Sequence, residues 1–378
     1  MNERDSLRGT WGVQREQDLF SSRTREKIER ALAMGLEAAP SIRDRTITLF
    51  GRGRAQAFAG IATFMGVPYL EDANEVGGQD VVVVGAPVDA GTTIRSGARY
   101  GPRGLRQASM IPRGFNLEAG VDLVECLNMV DIGDIFTIPA NIEKTFDQVD
   151  RGLAHIFSRG VFPLVLGGDH SIGYPDIRGI APYVDGNIGI IHFDRHVDTA
   201  ETSFDERMHG SPWFHATNIP NAPATNLVQI GIGGWLGNRD GTKVCRDRGT
   251  TVITMADVDR LGVDRIAELA LEVAWKNAKA VWLSFDIDCV DPAFAPGTGS
   301  PEPGGFLPRE ILRLLRLVAR EGVAGMEVVE VAPPYDVSEI TALLGVRAAL
   351  DVLGTLVSEG KLGRRPVAAT DSDEPPPY

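Results

Sequence analysis

The sequence predicts a layered α/β fold with a mainly parallel central sheet flanked by helices, and three observations carry the prediction. Short, continuous apolar runs of the buried-strand type recur along the chain. Helical patterns lie between several of them, as crossover connections between parallel strands require. Charged residues then fall directly after the runs, where open α/β sheets place their ligands.

In chain order, residues 1–79 are a polar, Arg-rich preface. Ser22 to Leu36 has helical spacing, whereas FAGIATFMGVPYLED mixes apolar residues with Gly and Pro. No chemistry is legible there, and the expected role is an extension packing on the core or on a neighbouring subunit. The texture changes at Asp80. VVVVGAP (81–87) reads as a buried strand and delivers the chain into DAGTTIRSGARYGPRGLRQAS, a Gly- and Arg-rich loop that ends as a helix start. Further strand-type runs occupy 161–166, 188–193, 227–232, 280–286 and 326–331, and helical patterns occupy 141–158, 257–277 and 308–321. One catalytic domain is therefore expected over 80–362, with 363–378 an acidic, Pro-rich flexible tail.

Composition excludes several classes. The 378 residues are 43% hydrophobic and 24% charged, ordinary for a globular protein, and the formal net charge is −13. That charge, without a Lys/Arg cluster, argues against a nucleic-acid surface. No apolar run approaches membrane-spanning length, and MNERDSLRGTW lacks the regions of a signal peptide, so a cytoplasmic protein without a membrane partner is expected. Cys126, Cys245 and Cys289 are too dispersed for a metal pair and read as small buried apolar residues.

The chemistry gathers around IIHFDRHVDT, where Asp194, His196 and Asp198 stand two residues apart and share one face of an extended chain. GGDHS supplies Asp169 and His170 after another run, FDIDCVDP supplies Asp286, Asp288 and Asp291, and MEVVEV leads to Glu330. A single acid after a strand is more often a cap or loop anchor. Several converging acids and imidazoles without basic neighbours repel one another unless cations neutralise them. Two imidazoles and four carboxylates exceed the needs of one ion and suit two divalent ions bridged by shared carboxylates. Such ligands fit manganese, nickel, iron or cobalt better than a structural zinc.

GAPVDAGTTIRSGARYGPRGLR, GGDHS, HFDRHVDT, LSFDIDCVDPAFAPGTGSPEPGG and VVEVAPPYD, in this order over roughly residues 80–355, resemble the motifs of the ureohydrolase family of arginases, agmatinases and guanidinobutyrases. The resemblance implies a three-layer arginase-like fold and hydrolysis of a guanidino compound to urea. It implies one metal held by His170, Asp194, Asp198 and Asp286, and a second held by Asp194, His196, Asp286 and Asp288. His209 in MHGSPWF occupies the place of the family's proton-shuttling histidine, Glu330 that of the carboxylate pairing with the guanidinium, and Asp288 with His209 would protonate the leaving group. Asp291, followed by Pro292, reads as a supporting turn residue. Homotrimers or homohexamers are implied as well.

The departures bear on the substrate. GIGGWLGNRDG lacks a charged handle after its glycines, and TAETSFDERM lacks the Asn and Ser that greet the arginine carboxylate in arginases, so arginine is disfavoured. Arg195, the block MHGSPWFHATN and GIGGW resemble instead the bacterial nickel-dependent guanidine hydrolase branch. That resemblance implies free guanidine as substrate and nickel as metal, with manganese the alternative and nickel-insertion accessory proteins as partners. Trp235, Arg195 and His215 are the candidate pocket residues, the Trp235 indole filling room otherwise given to an alkyl tail; the plainer reading of each is structural. Substituted guanidines or the biguanide metformin, processed with a heteromeric partner subunit, stand second, and agmatine or 4-guanidinobutyrate third. A noncatalytic partner subunit and a single-zinc, deacetylase-like amide hydrolase are the readings from other classes.

Overall fold

The computed structural model of the chain describes residues 57–364. The expected extension (1–79) and tail (363–378) therefore lie largely outside the described residues. The described residues from Thr63 to Arg364 form one compact unit.

The unit begins with β1 (Val81–Ala86), α1 (Gly101–Ser109), a hairpin of β2 (Phe115–Asn116) and β3 (Val121–Asp122), α2 (Leu123–Cys126) and β4 (Met129–Asp134). Then come α3 (Ile142–Phe157), β5 (Phe162–Gly167), α4 (Gly173–Ile180), β6 (Asn187–Phe193), α5 (Pro212–Ala216) and β7 (Leu227–Ile232). The chain continues through α6 (Arg239–Arg248), β8 (Thr251–Thr254), α7 (Met255–Leu261), α8 (Val263–Ala274) and β9 (Ala278–Asp286). It closes with α9 (Pro308–Ala319), β10 (Gly325–Val329) and α10 (Ile340–Ser358). Eight strands form one sheet in the order β4-β1-β5-β10-β9-β6-β7-β8. Its ladders are parallel throughout, as the α/β prediction requires.

Alternation along the strands builds three layers. Val81 and Val83 join one apolar cluster with residues of α1, α8, α9 and α10, while Val82 and Val84 join another with residues of α3, α4 and α5. A strand buried on both faces reads as an unbroken apolar run, which is why the central strands were visible in the sequence. Helix starts are chemically marked. Asn141 accepts the Lys144 N–H at 2.8 Å, Thr254 and Asp257 cap α7 reciprocally, and Asp336 accepts the Thr341 and Ala342 N–H groups at 2.9 and 3.0 Å. The helix expected over 257–277 is two helices, because Gly262 adopts φ 78° and breaks the ladder between α7 and α8.

One expectation is corrected. Among the described residues one helix, the 19-residue α10, is long and apolar enough to cross a membrane, and 72% of its apolar window is buried inside the protein. It is a core helix, with Asp351 ion-paired to Arg316 and Arg347. Cys126, Cys245 and Cys289 are all buried free thiols.

Candidate metal centre

Four adjacent strands, β5, β10, β9 and β6, bring their carboxyl ends together at the middle of the sheet. Asp194 follows the last residue of β6, Asp286 ends β9, Glu330 follows β10, and His170 opens a short 3-10 turn three residues past β5. Asp169 caps that turn, accepting the Ser171 N–H at 3.0 Å with one oxygen and the Gly91 N–H at 2.7 Å with the other. Gly168 is required here, since a Cβ would stand 1.9 Å from the Val88 carbonyl oxygen. The loop after β1 is thereby locked against the turn that carries His170.

The six residues expected as metal ligands meet in two foci. His170 Nδ1 lies 3.1 Å from Asp194, 3.0 Å from Asp198 and 3.1 Å from Asp286 carboxylate oxygens. His196 Nδ1 lies 3.2 Å from the other Asp194 oxygen and 3.2 Å from Asp288. Asp194 thus faces both foci. Asp286 turns one oxygen to His170 and accepts the Asp288 N–H at 2.8 Å with the other. Asp198 and Glu330 hold φ of 45° and 62°, a left-handed backbone that costs on the order of 1–3 kcal/mol at a non-glycine residue and tends to mark functional positions.

The electrostatics are those of a cation site. Burial opposes ionisation of Asp194, yet the imidazoles of His192, His170 and His196 hold its carboxyl well below the usual range. Burial and the charges of Asp288 and Asp194 push Asp286 well up, and burial is the main force raising Asp288 to about 7. Burial opposes protonation of His170 and His196, but the surrounding carboxylates raise both well above an ordinary histidine. Protons thus accumulate where cations would otherwise neutralise the acids. The donors are carboxylate oxygens and imidazoles without thiolates, a set that fits divalent first-row ions. The guanidinium of Arg195 does not compensate the cluster, since it donates to the carbonyls of Gly231 and Pro303 at 2.8 and 3.3 Å.

Beside the foci, Glu330 Oε1 accepts from His209 Nδ1 at 2.9 Å and from the His170 N–H at 2.9 Å, while Oε2 is buried with no partner. Burial opposes the charge on both members, but each favours the other's ionised form: His209 rises to about 9 and Glu330 falls below its ordinary value. The Thr93 N–H, 3.2 Å from His209 Nε2, opposes protonation there. Glu330, Asp169 and Asp198 outweigh that single dipole, and the Thr93 hydroxyl at 2.7 Å can accept from a protonated Nε2. A cavity of ≈ 160 Å³ opens onto Glu330, His209, His196, Asp286 and Asp288, walled by Thr93, Ile94, Ser203, Leu236, Asn238 and Ser300. Among the described residues, no Lys or Arg lines it.

The expected pocket residues Trp235, Arg195 and His215 are not among the residues lining that cavity. Trp235 is 97% exposed, because buried Glu302 accepts the N–H groups of Trp235 and Leu236 and turns Leu236, rather than the indole, to the cavity. His215 packs against Tyr174, with ring centroids 5.6 Å apart, and bonds the Glu201 carbonyl at 2.8 Å. Arg195 ties the end of β7, at Gly231, to the loop at Pro303. Asp291 anchors a turn through the Ala293 and Gly304 N–H groups, at 2.9 and 2.8 Å.

Sequence reasoning missed His192 and Gln229, both fully buried. His192 Nε2 lies 2.8 Å from Asp194. The signal was present, since 192 continues the two-residue spacing of 194, 196 and 198, but Gln229 sits inside an otherwise apolar run.

Comparison with known proteins agrees with this geometry. The arginase family profile matches residues 79–354. The chain is 37% identical to proclavaminate amidinohydrolase of Streptomyces clavuligerus over 78% of this chain and 93% of that protein. The solved structure of that enzyme superposes with a TM-score of 0.72 at 35% identity, covering 79% of this chain and 98% of the other. Guanidinobutyrase of Pseudomonas aeruginosa is 33% identical over 81% of this chain and 95% of its own length, and agmatinase of Proteus mirabilis is 36% identical over 76% and 88%.

Proposed function

The chain belongs to the arginase family, and from that premise we propose that this amidino hydrolase converts free guanidine and water to urea and ammonia at a two-cation centre. The observation that carries the choice of substrate is the pairing of a buried, unpartnered Glu330 oxygen with a small cavity that, among the described residues, no Lys or Arg lines. An unpaired buried carboxylate oxygen is costly, and a planar guanidinium, always charged and rich in N–H donors, relieves that cost. A guanidino acid would bring a carboxylate into this cavity without a cationic partner among the described residues.

In this reading His170, Asp194, Asp198 and Asp286 hold one ion, and Asp194, His196, Asp286 and Asp288 the other. When bound, the ions supply Lewis acidity and a hydroxide-strength nucleophile at neutral pH. Glu330 grips the guanidinium and fixes its carbon in the cavity. Asp288 takes up the proton released on attack, and His209, held by Glu330 and Thr93, delivers a proton to the departing nitrogen. The ligand types admit nickel and manganese; the motifs around Arg195 and His215 favour nickel. A homotrimer or homohexamer accords with the resemblance, and Trp235 beside the mouth is the residue a neighbouring subunit would cover.

Agmatine is the second reading, supported by the agmatinase relatives and by the apolar walls Ile94 and Leu236, which suit an alkyl chain. Urea release from guanidine, agmatine, arginine, 4-guanidinobutyrate and metformin by metal-loaded protein tests the proposal. Guanidine should give the highest kcat/KM; dominance of agmatine or metformin assigns the substrate elsewhere.

A further inference from the structure

On adjacent strands β6 and β7, His192 and Gln229 are register partners, and both are fully buried. The orientation of the Gln229 amide is fixed by its neighbours. Oε1 accepts from the Cys245 thiol at 3.1 Å and the Thr250 hydroxyl at 3.4 Å, and Nε2 donates to the Val197 carbonyl. The reversed amide would set two carbonyl oxygens against each other at Val197. The remaining Nε2 hydrogen faces His192 Nδ1 at 3.3 Å. Nδ1 therefore accepts, and the imidazole carries its proton on Nε2, 2.8 Å from Asp194 Oδ2. The second Asp194 oxygen accepts the His196 N–H at 2.6 Å.

We infer that Gln229 is a positioning residue of the metal centre, setting the Asp194 carboxylate through the His192 tautomer and the backbone between His196 and Asp198 through Val197. The inference rests on Asp194 being the carboxylate shared by two cations. A carboxylate that faces two ions must keep its plane while each oxygen serves a different focus, and the His192 and His196 N–H donors hold that plane. The thiol of Cys245 acts one step further back, fixing which end of the Gln229 amide faces the histidine.

The test is calorimetric titration of metal-free protein with manganese(II) alone, beside thermal melting of the same metal-free samples. Gln229→Met should weaken manganese binding roughly 10–100-fold, the usual effect of losing a group that orients a ligand. Affinity within twofold of the parent, whatever the change in melting midpoint, overturns the inference, because a purely structural role moves the midpoint alone. Should Gln229→Met fail to fold, Cys245→Ala and Cys245→Ser decide: the alanine variant should bind manganese more weakly and the serine variant, which keeps a donor, should recover parent affinity, whereas equal affinities overturn the role. Asp194→Asn separates the two levels. Undiminished binding there overturns the two-cation reading beneath the inference, while lost binding there with parent affinity in Gln229→Met overturns Gln229 alone.

Discussion

Glu330 and His209 form a pair with one free arm: Oε1 accepts from His209 Nδ1 at 2.9 Å, and Oε2 is buried without a partner. If that arm grips the substrate cation, Glu330→Gln, which keeps the shape and removes the charge, should lower kcat/KM for guanidine on the order of 100-fold, as loss of one partner of a buried ion pair does. Metal content should be unchanged. A loss below threefold contradicts the assignment.

The same pair sets a pH dependence in the metal-free protein. His209 is raised from its ordinary value to about 9. Its contribution to stability is thus fully present below about 6.5, the unfolded value, and disappears as pH rises through about 9. Glu330 is depressed, so its contribution is present above its ordinary value and fades as pH falls through the lowered one. Urea melts of metal-free protein between pH 6 and 10 should lose stability across that window, and His209→Asn should flatten the slope. An equal slope in the variant contradicts the pairing.

Cations should stabilise this fold by mass action, by about 4 kcal/mol at free metal 1,000 times the Kd. His196→Ala and Asp288→Asn should each abolish turnover and lose bound metal together. Full metal content with parent turnover in either variant refutes the ligand assignment.

Gly234 stands at φ 80°, and a Cβ there would lie 2.0 Å from the Glu302 carboxylate carbon. Gly234→Ala should break the anchor that turns Leu236 to the cavity, raising KM several-fold while both ions remain bound. An unchanged KM shows that the wall does not depend on this anchor.

The central strands were legible because burial on both faces leaves an unbroken apolar run, as in Val81–Ala86. The strands overlooked, Met129–Asp134 and Thr251–Thr254, are the two outermost strands of the sheet, and their sequences carry Asp or Thr in place of a continuous apolar run. The ligands announced themselves through two-residue spacing after strands. The pocket wall did not, because the placement of Trp235 and Leu236 is decided by Glu302, 67 and 66 residues away in the chain, and no local pattern encodes that bond. His192 and Gln229 escaped notice for a related reason: a polar residue inside a buried strand is distinguishable from a satisfied core residue only when its cross-strand partner is known.

The most direct measurement is stepwise metal titration of the metal-free protein with urea release from guanidine as the readout. The two-cation account predicts that activity follows the second equivalent of nickel(II) or manganese(II) per chain, with elemental analysis returning two ions. Full activity at one equivalent, with one ion bound, contradicts it.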